Sequence, residues 1–139
     1  MNSTTINGNL TADPELKFMT SGDAQVRLRV AVNRRWQNKQ TQEWEERVSY
    51  FTVVAYGTLA ENCAKSLERG TRVLVTGRLE YRDYETPDGE KRSVTEIIAE
   101  DVAPSLTNAT TTVTKAAKPV DNNAYRAAKR TEHYIDEAF

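Results

Sequence analysis

Hydrophobic and polar residues alternate one by one along the stretch AQVRLRVAVN, residues 24–33. Successive side chains of a β-strand point to opposite faces, so such alternation predicts a strand with one buried face. The buried set would be Val26, Leu28, Val30 and Val32, and the exposed set Gln25, Arg27, Arg29 and Asn33.

The stretch VSYFTVVAYG, residues 48–57, is instead rich in β-branched and aromatic residues without a polar face. It predicts a second strand that is buried on much of both faces. The segment 34–47 between the two strands is polar, and we expect it to be a long loop. Loops of such length usually serve a function.

The spacing of hydrophobic residues lengthens in TLAENCAKSLER, residues 58–69, where Leu59, Cys63 and Leu67 lie four residues apart. Glu61 can pair with Lys65 one turn later, and Gly70 is placed to end the segment. The pattern predicts one amphipathic helix.

Alternation returns in TRVLVTGRLEYRDYET, residues 71–86, in which Gly77 indicates a bend or bulge. The sequence PDG at 87–89 predicts a turn into KRSVTEIIAEDV, residues 91–102. A first strand near 4–11 and a short one near 16–19 complete the set. The order predicts an all-β fold, a five-stranded OB-fold barrel with one α-helix between strands 3 and 4.

The composition shifts after Leu106, which divides the chain into two predicted parts. Residues 1–106 would form the barrel domain, and residues 107–139 a flexible C-terminal tail. The Thr-rich stretch 107–114 could add one extra strand.

Several classes of function are disfavoured by composition. The 139 residues contain no long apolar run, and the polar start lacks a secretory signal, so we expect a cytoplasmic protein with no membrane contact. Cys63 and His133 are single residues of their types, which leaves no catalytic pair and no metal site. We therefore predict no enzyme activity and no cofactor.

Six aromatic residues fall where such a barrel would expose them. They are Trp36 and Trp44 in the polar segment, Tyr50 and Tyr56 on the next strand, and Tyr81 and Tyr84 at the following hairpin. Tyr50 and Tyr56 could instead be core residues with only the hydroxyl at the surface. The role of Trp44 stays open, because the acids beside it would repel a phosphate.

Arginines accompany these rings, and their local fields matter more than the formal net charge of −1. Unpaired bases stack on aromatic rings, with about 1–3 kcal/mol per base, while guanidinium groups meet the phosphates. The pattern therefore predicts binding of single-stranded DNA without sequence specificity. The candidate DNA-binding residues are Arg29, Arg34, Arg35, Trp36, Lys39, Tyr50, Tyr56, Arg78, Tyr81, Arg82, Tyr84 and Arg92.

Three longer stretches resemble the bacterial single-stranded DNA-binding protein (SSB) family. They are NLTADPELKF (9–18), YFTVVAYGTLAENCAKSLERG (50–70) and VLVTGRLEYRDYETPDGEKR (73–92). NLTADPEL, TQEWEE and VAPSLTNAT are most similar to the actinobacterial form, or to that of a phage of such hosts. The resemblance implies an OB barrel, a homotetramer and single-stranded DNA wrapped around it. It also implies base stacking at Trp36, Tyr50, Tyr56 and Tyr84.

The chain ends in an aromatic residue beside acids, in the sequence DEAF. The resemblance implies that this tip recruits replication and repair proteins, through Asp136, Glu137 and Phe139. The family's tip has more acids and a Pro-Phe ending, whereas Ala138 stands here before Phe139. Phe139 could alternatively dock on its own domain, since burial of such a side chain contributes roughly 1.5–3 kcal/mol.

Two other functions are compatible with parts of the sequence. PDGEK at 87–91 superficially suggests the carboxylate cluster of a nuclease, but its residues are typical of a turn. An OB-fold protein-interaction module of a replication complex, with weak or no DNA binding, would fit the acidic pI and Glu43, Glu45 and Glu46.

Overall fold

The computed structural model describes residues 1–116 and contains six strands and one helix in this range. In chain order these are β1 (Thr4–Leu10), β2 (Glu15–Phe18), β3 (Ala24–Gln37), β4 (Trp44–Tyr56), α1 (Gly57–Ser66), β5 (Arg72–Glu85) and β6 (Lys91–Pro104). Every strand and the helix predicted within residues 1–106 are present. The helix lies between β4 and β5, which are the third and fourth strands of the barrel because the short β2 is not one of its five strands.

Five of the strands close into a barrel in the order β1, β5, β6, β4, β3. The barrel closes where the end of β1 meets β3, with Leu10 opposite Val30. The β4–β6 pairing is parallel and the other pairings are antiparallel. The short β2 adds to the same edge of β3 beyond β1. This is the predicted OB-fold barrel.

The alternating residues of β3 fill the core as predicted, with Val26, Leu28 and Val30 fully buried. Helix α1 contributes Ala60 and Cys63 to the same core, and Leu67 follows directly after it. Burial of each large apolar side chain contributes roughly 1.5–3 kcal/mol. The core thus holds the sheet closed and leaves the other face of the strands available.

The Cys63 thiol lies inside this core. Burial, with a smaller effect from the charge of Asp101, raises its pKa to about 11. A thiol that stays protonated near neutral pH is a poor nucleophile, so Cys63 acts as a small apolar residue.

Two glycines allow neighbouring strands to approach closely. A Cβ atom on Gly8 would lie 2.2 Å from the Ala31 carbonyl oxygen, and one on Gly77 would lie 2.1 Å from that of Ile98. The β5–β6 register shifts between Thr76 and Gly77, which confirms the predicted bulge.

The predicted long loop at 34–47 is wrong in its extent. Strand β3 continues to Gln37 and β4 begins at Trp44, so only residues 38–43 form the turn. Backbone pairing continues past the core, up to Gln37 opposite Trp44, as a two-stranded antiparallel ribbon. The Asn38 side-chain carbonyl accepts hydrogen bonds from the backbone of Gln40 and Thr41 and shapes this turn.

Two smaller predictions also need correction. The helix ends at Ser66 rather than at residue 69, because Leu67 already has an extended backbone. The extra strand at 107–114 does not form in the single chain. The Ser105 amide donates a hydrogen bond to the Arg72 carbonyl, and Arg72 is the first residue of β5. No residue of β5 is therefore left to pair with residues 107–114.

We predict that Gly77→Ala destabilises the fold by more than about 2 kcal/mol, because the added methyl group meets backbone that cannot move alone. Urea unfolding followed by circular dichroism measures this. The neighbouring Thr76→Ala is the control and should cost below about 1 kcal/mol, since it removes one long hydrogen bond between hydroxyls. Equal losses in the two variants would contradict the close-approach explanation.

Candidate nucleic-acid interface

The register of the strands determines which side chains share the outer face of the barrel. Paired residues of adjacent strands point to the same side of a sheet. Val54 pairs with Arg27 on β3 and with Ile98 on β6, and Ile98 pairs with Arg78 on β5. One outer face therefore runs across β3, β4, β6 and β5. We call it the aromatic-basic face. Its aromatic and basic members are Arg27, Arg29, Arg35, Trp44, Tyr50, Tyr56, Arg78, Arg82, Tyr84 and Arg92, and the acids Glu46, Glu80 and Glu96 lie on the same side.

The floor of this face is apolar. Val54 and Ile98 are buried, yet neither belongs to the main core cluster. Their neighbours Val53 and Ala55 point the other way, into that core. The prediction that the second strand is buried on much of both faces therefore holds only over residues 53–55. Val48 and Tyr50, earlier in the same strand, are exposed.

Three tyrosine rings stand on the face with much of their surface in solvent. Tyr50 is 56% exposed, Tyr56 46% and Tyr84 41%. The alternative that Tyr50 and Tyr56 are core residues is therefore wrong. Both lie on the outward-pointing positions of β4, which the core cannot reach.

Guanidinium groups accompany the rings at cation–π distance. The Arg29 guanidinium carbon lies 5.3 Å from the centre of the Tyr50 ring, and that of Arg82 lies 5.5 Å from Tyr84. Such contacts hold the arginine and the ring beside each other. The face thus combines flat apolar surfaces with fixed positive charge.

Sequence reasoning missed Arg27 and Glu96, which lie on this face and contact each other. Glu96 accepts a hydrogen bond from Arg82 Nε at 2.8 Å, and Arg27 Nη2 lies 3.6 Å from its other oxygen. The hydrogen bond from Arg82, followed by the charge of Glu96, raises the pKa of Arg82. Strand alternation could have found Arg27, two positions before Arg29. No local signal reveals Glu96, whose partners lie on other strands.

The β3–β4 ribbon carries one tryptophan on each of its faces. Trp44 pairs with Gln37 and shares the aromatic-basic face, where the Arg35 guanidinium lies 4.7 Å from its ring. Trp36 points to the opposite side, with the Arg34 guanidinium 5.4 Å from its ring. The structure therefore does not bring Trp36 together with Tyr50, Tyr56 and Tyr84, although it is half-buried on the ribbon and lies outside the core.

The two acids that follow Trp44 lie on opposite faces of the ribbon. Glu45 pairs with Trp36 and so points to the opposite side, where its carboxylate accepts a hydrogen bond from the Asn38 amide. Only Glu46 shares the face of Trp44, directly opposite Arg35. The repulsion of a phosphate near Trp44 is thus smaller than the run of acids in the sequence indicates.

The remaining candidate residues are Tyr81, Arg78, Arg92 and Lys39. Tyr81 points to the side of β5 opposite Tyr84, and its hydroxyl donates to Asp83 at 2.8 Å. Arg78 pairs with Glu80, and Arg92 with Glu90, so each has an acid nearby. Lys39 is exposed in the turn of the ribbon. The tip residues Asp136, Glu137 and Phe139 lie outside the described residues.

Residues 1–116 show no group of three or more His, Cys, Asp and Glu side chains that could hold a metal ion. In the same part of the chain no helix is long and apolar enough to cross a membrane.

Fold and face together define an OB-fold binding domain, a class that uses one sheet face and its protruding hairpins to hold an extended ligand. The sequence profile of the single-strand binding protein family matches residues 1–105. The chain belongs to this family.

Two similar proteins come from actinobacteria, which agrees with the resemblance found in the sequence. The single-stranded DNA-binding protein of Corynebacterium glutamicum is 52% identical over 104 residues, which are 74% of this chain and 46% of that protein. That of Mycobacterium leprae is 48% identical over 115 residues, 82% of this chain and 68% of that protein. The chain thus matches less than half the length of the Corynebacterium relative.

Solved structures show the same fold. The Plasmodium falciparum SSB in complex with single-stranded DNA superposes with a TM-score of 0.70 at 25% identity, over 76% of this chain and 95% of that one. A deletion mutant of the single-stranded DNA-binding protein from Thermus aquaticus gives a TM-score of 0.68 at 30% identity, over 78% and 52%.

The two tryptophans should differ in access to a neutral quencher, because Trp44 is 60% exposed and Trp36 is half-buried. We expect acrylamide to quench the Trp36→Phe variant, which keeps Trp44, more strongly than the Trp44→Phe variant. Stern–Volmer plots of the two variants measure this. Equal slopes, or the reverse order, would contradict the placement of the two rings.

Proposed function

We propose that this protein binds single-stranded DNA, without sequence specificity, on its aromatic-basic face. The observation that carries the proposal is the shared orientation of Tyr50, Tyr56 and Tyr84. Each ring is exposed on one continuous sheet face, and arginines lie beside them. The names of the relatives support the same conclusion.

The chemistry of the face favours unpaired bases over a duplex. A base in a single strand exposes both of its flat sides, and stacking on an aromatic ring contributes about 1–3 kcal/mol. Every base has such a surface, so rings that stack need no particular sequence. Arg29 and Arg82 stand close enough to the rings to meet the phosphates between stacked bases.

The ribbon would extend this contact beyond the barrel. Trp44 and Arg35 continue the line of Tyr50 along the same side, whereas Trp36 and Arg34 offer a second ring and charge on the reverse side. Lys39 at the turn adds a charge at the far end. In this arrangement Trp44 joins the candidate residues, and Trp36 contacts a different part of the strand from the tyrosines.

The wider role follows from the family. Such binding would protect single-stranded DNA in the cytoplasm during replication, recombination and repair. The proposal includes a homotetramer, which rests on the resemblance to the family.

Adding oligo(dT) should quench the intrinsic tryptophan fluorescence, because bases would stack on Trp36 and Trp44. Tyr50→Ala and Tyr84→Ala should each weaken binding by about five- to hundredfold, the equivalent of one lost stack. Phe18→Ala is the matched control, since Phe18 is an exposed ring on β2 outside the aromatic-basic face. It should bind like the unaltered protein.

The salt dependence separates DNA binding from the alternative of a protein-interaction module. On a single strand, log K should fall with log salt with a slope of about −0.7 for each neutralised phosphate. Unchanged fluorescence at low salt would refute the proposal and favour the interaction module.

We further propose that the C-terminal tip is a peptide ligand for replication and repair proteins. Phe139 would enter an apolar pocket of the partner, while Asp136, Glu137 and the terminal carboxylate meet basic residues around it. The sequence of the tip and its likeness to the family's acidic ending support this.

Deleting residues 134–139 should leave oligo(dT) affinity unchanged or raise it, because the deletion removes acids and no member of the face. The same deletion should abolish the capture of replication and repair proteins in pull-down experiments. Phe139→Ala tests the ring alone and should act like the deletion. Undiminished capture by both variants would refute the role of the tip.

A further inference from the structure

A single buried carboxylate lies in the middle of the aromatic-basic face. Glu96 stands on β6 two residues before Ile98, and its side chain is only 7% exposed. Within residues 1–116 it is the one charged residue that is buried. A buried charge is costly unless it is paired, so the contacts of Glu96 decide whether the carboxylate is tolerated there.

The two oxygens of Glu96 are used differently. Oε1 accepts the hydrogen bond from Arg82 Nε at 2.8 Å, which fixes the guanidinium while its terminal nitrogens remain outside this bond. Oε2 accepts no hydrogen bond from the described residues, and Arg27 Nη2 lies 3.6 Å away from it. Glu96 therefore anchors Arg82 and attracts Arg27 without holding it in a hydrogen bond.

The charges of this triad set what the face can offer to an anion. Two guanidinium groups and one carboxylate sum to a single positive charge. The arginine side chains are about half exposed, 46% for Arg82 and 47% for Arg27, so a phosphate could reach both. A phosphate that approaches Arg27 has to compete with Glu96 for it.

We propose that Glu96 is an internal counter-ion of the DNA-binding face, which positions Arg82 and holds back the charge of Arg27. This inference rests on the proposed function and names a residue that limits the DNA affinity of the face. The carboxylate keeps the affinity for single strands below what the arginines alone would give. In exchange it fixes the direction in which Arg82 presents its terminal nitrogens.

Glu96→Gln tests the counter-ion directly, because the amide oxygen can still accept from Arg82 Nε while the negative charge is lost. We expect oligo(dT) to bind about three- to tenfold more tightly, from the removal of one nearby negative charge. The slope of log K against log salt should steepen by about 0.7, one further phosphate contact.

Glu100→Gln is the matched control. Glu100 lies on the same strand, is exposed, and its substitution changes the net charge equally. It should leave the slope unchanged. If Glu96→Gln binds no more tightly than Glu100→Gln, with both variants folded by circular dichroism, the inference is overturned.

A second pair of variants leaves Glu96 intact and serves if Glu96→Gln does not fold. Arg27 and Arg29 lie on the same side of β3, but only Arg27 has the buried acid beside it. Arg27→Gln should therefore lower the salt slope less than Arg29→Gln does. Equal decreases would overturn the inference.

Oligo(dT) binding by the unaltered protein distinguishes a failure of this inference from a failure of the proposed function. If the unaltered chain does not bind oligo(dT), the proposed function fails. If it binds and the variant pairs behave alike, only the role of Glu96 fails.

Discussion

The uninterrupted antiparallel ladder between β3 and β4 is the constraint on which the face depends. Thirteen consecutive residue pairs keep one register from Gln25 opposite Tyr56 to Gln37 opposite Trp44. Because side chains alternate, this one register sends Val26 and Leu28 into the core and Arg29 and Tyr50 outward. A slip of one residue would exchange the two sets, so the stability of the core and the composition of the face are fixed together.

The face also needs support from below. The parallel contact between β4 and β6 brings Val54 beside Ile98 and so joins two hairpins into one surface. Glu96 on the same side of β6 then reaches arginines from two other strands. The Glu96 carboxylate lies between the two guanidinium groups and offsets their mutual repulsion. Arg27 and Arg82 can therefore both lie above the same apolar floor.

Much of this arrangement was accessible from the sequence. Alternation identified β3 and the outward position of Arg29, and the helical period identified α1. The bulge at Gly77 was also predicted, since a glycine inside an alternating strand has few other uses. The polar ribbon at 34–47 was misjudged as a loop, because a protruding hairpin has solvent on both faces and loses the alternation that marks a strand.

The sequence by itself determined the order of the elements, the core side of the alternating strands β3 and β5 and the chemical character of the exposed residues, because these depend on periodicity along the chain. The tertiary structure alone decided which exposed residues meet. It placed Trp44 rather than Trp36 on the same face as Tyr50, and it brought Glu96 to Arg27 and Arg82. Such contacts join strands that are distant in the chain, and their register is set by the closure of the barrel, for which no local pattern carries a signal.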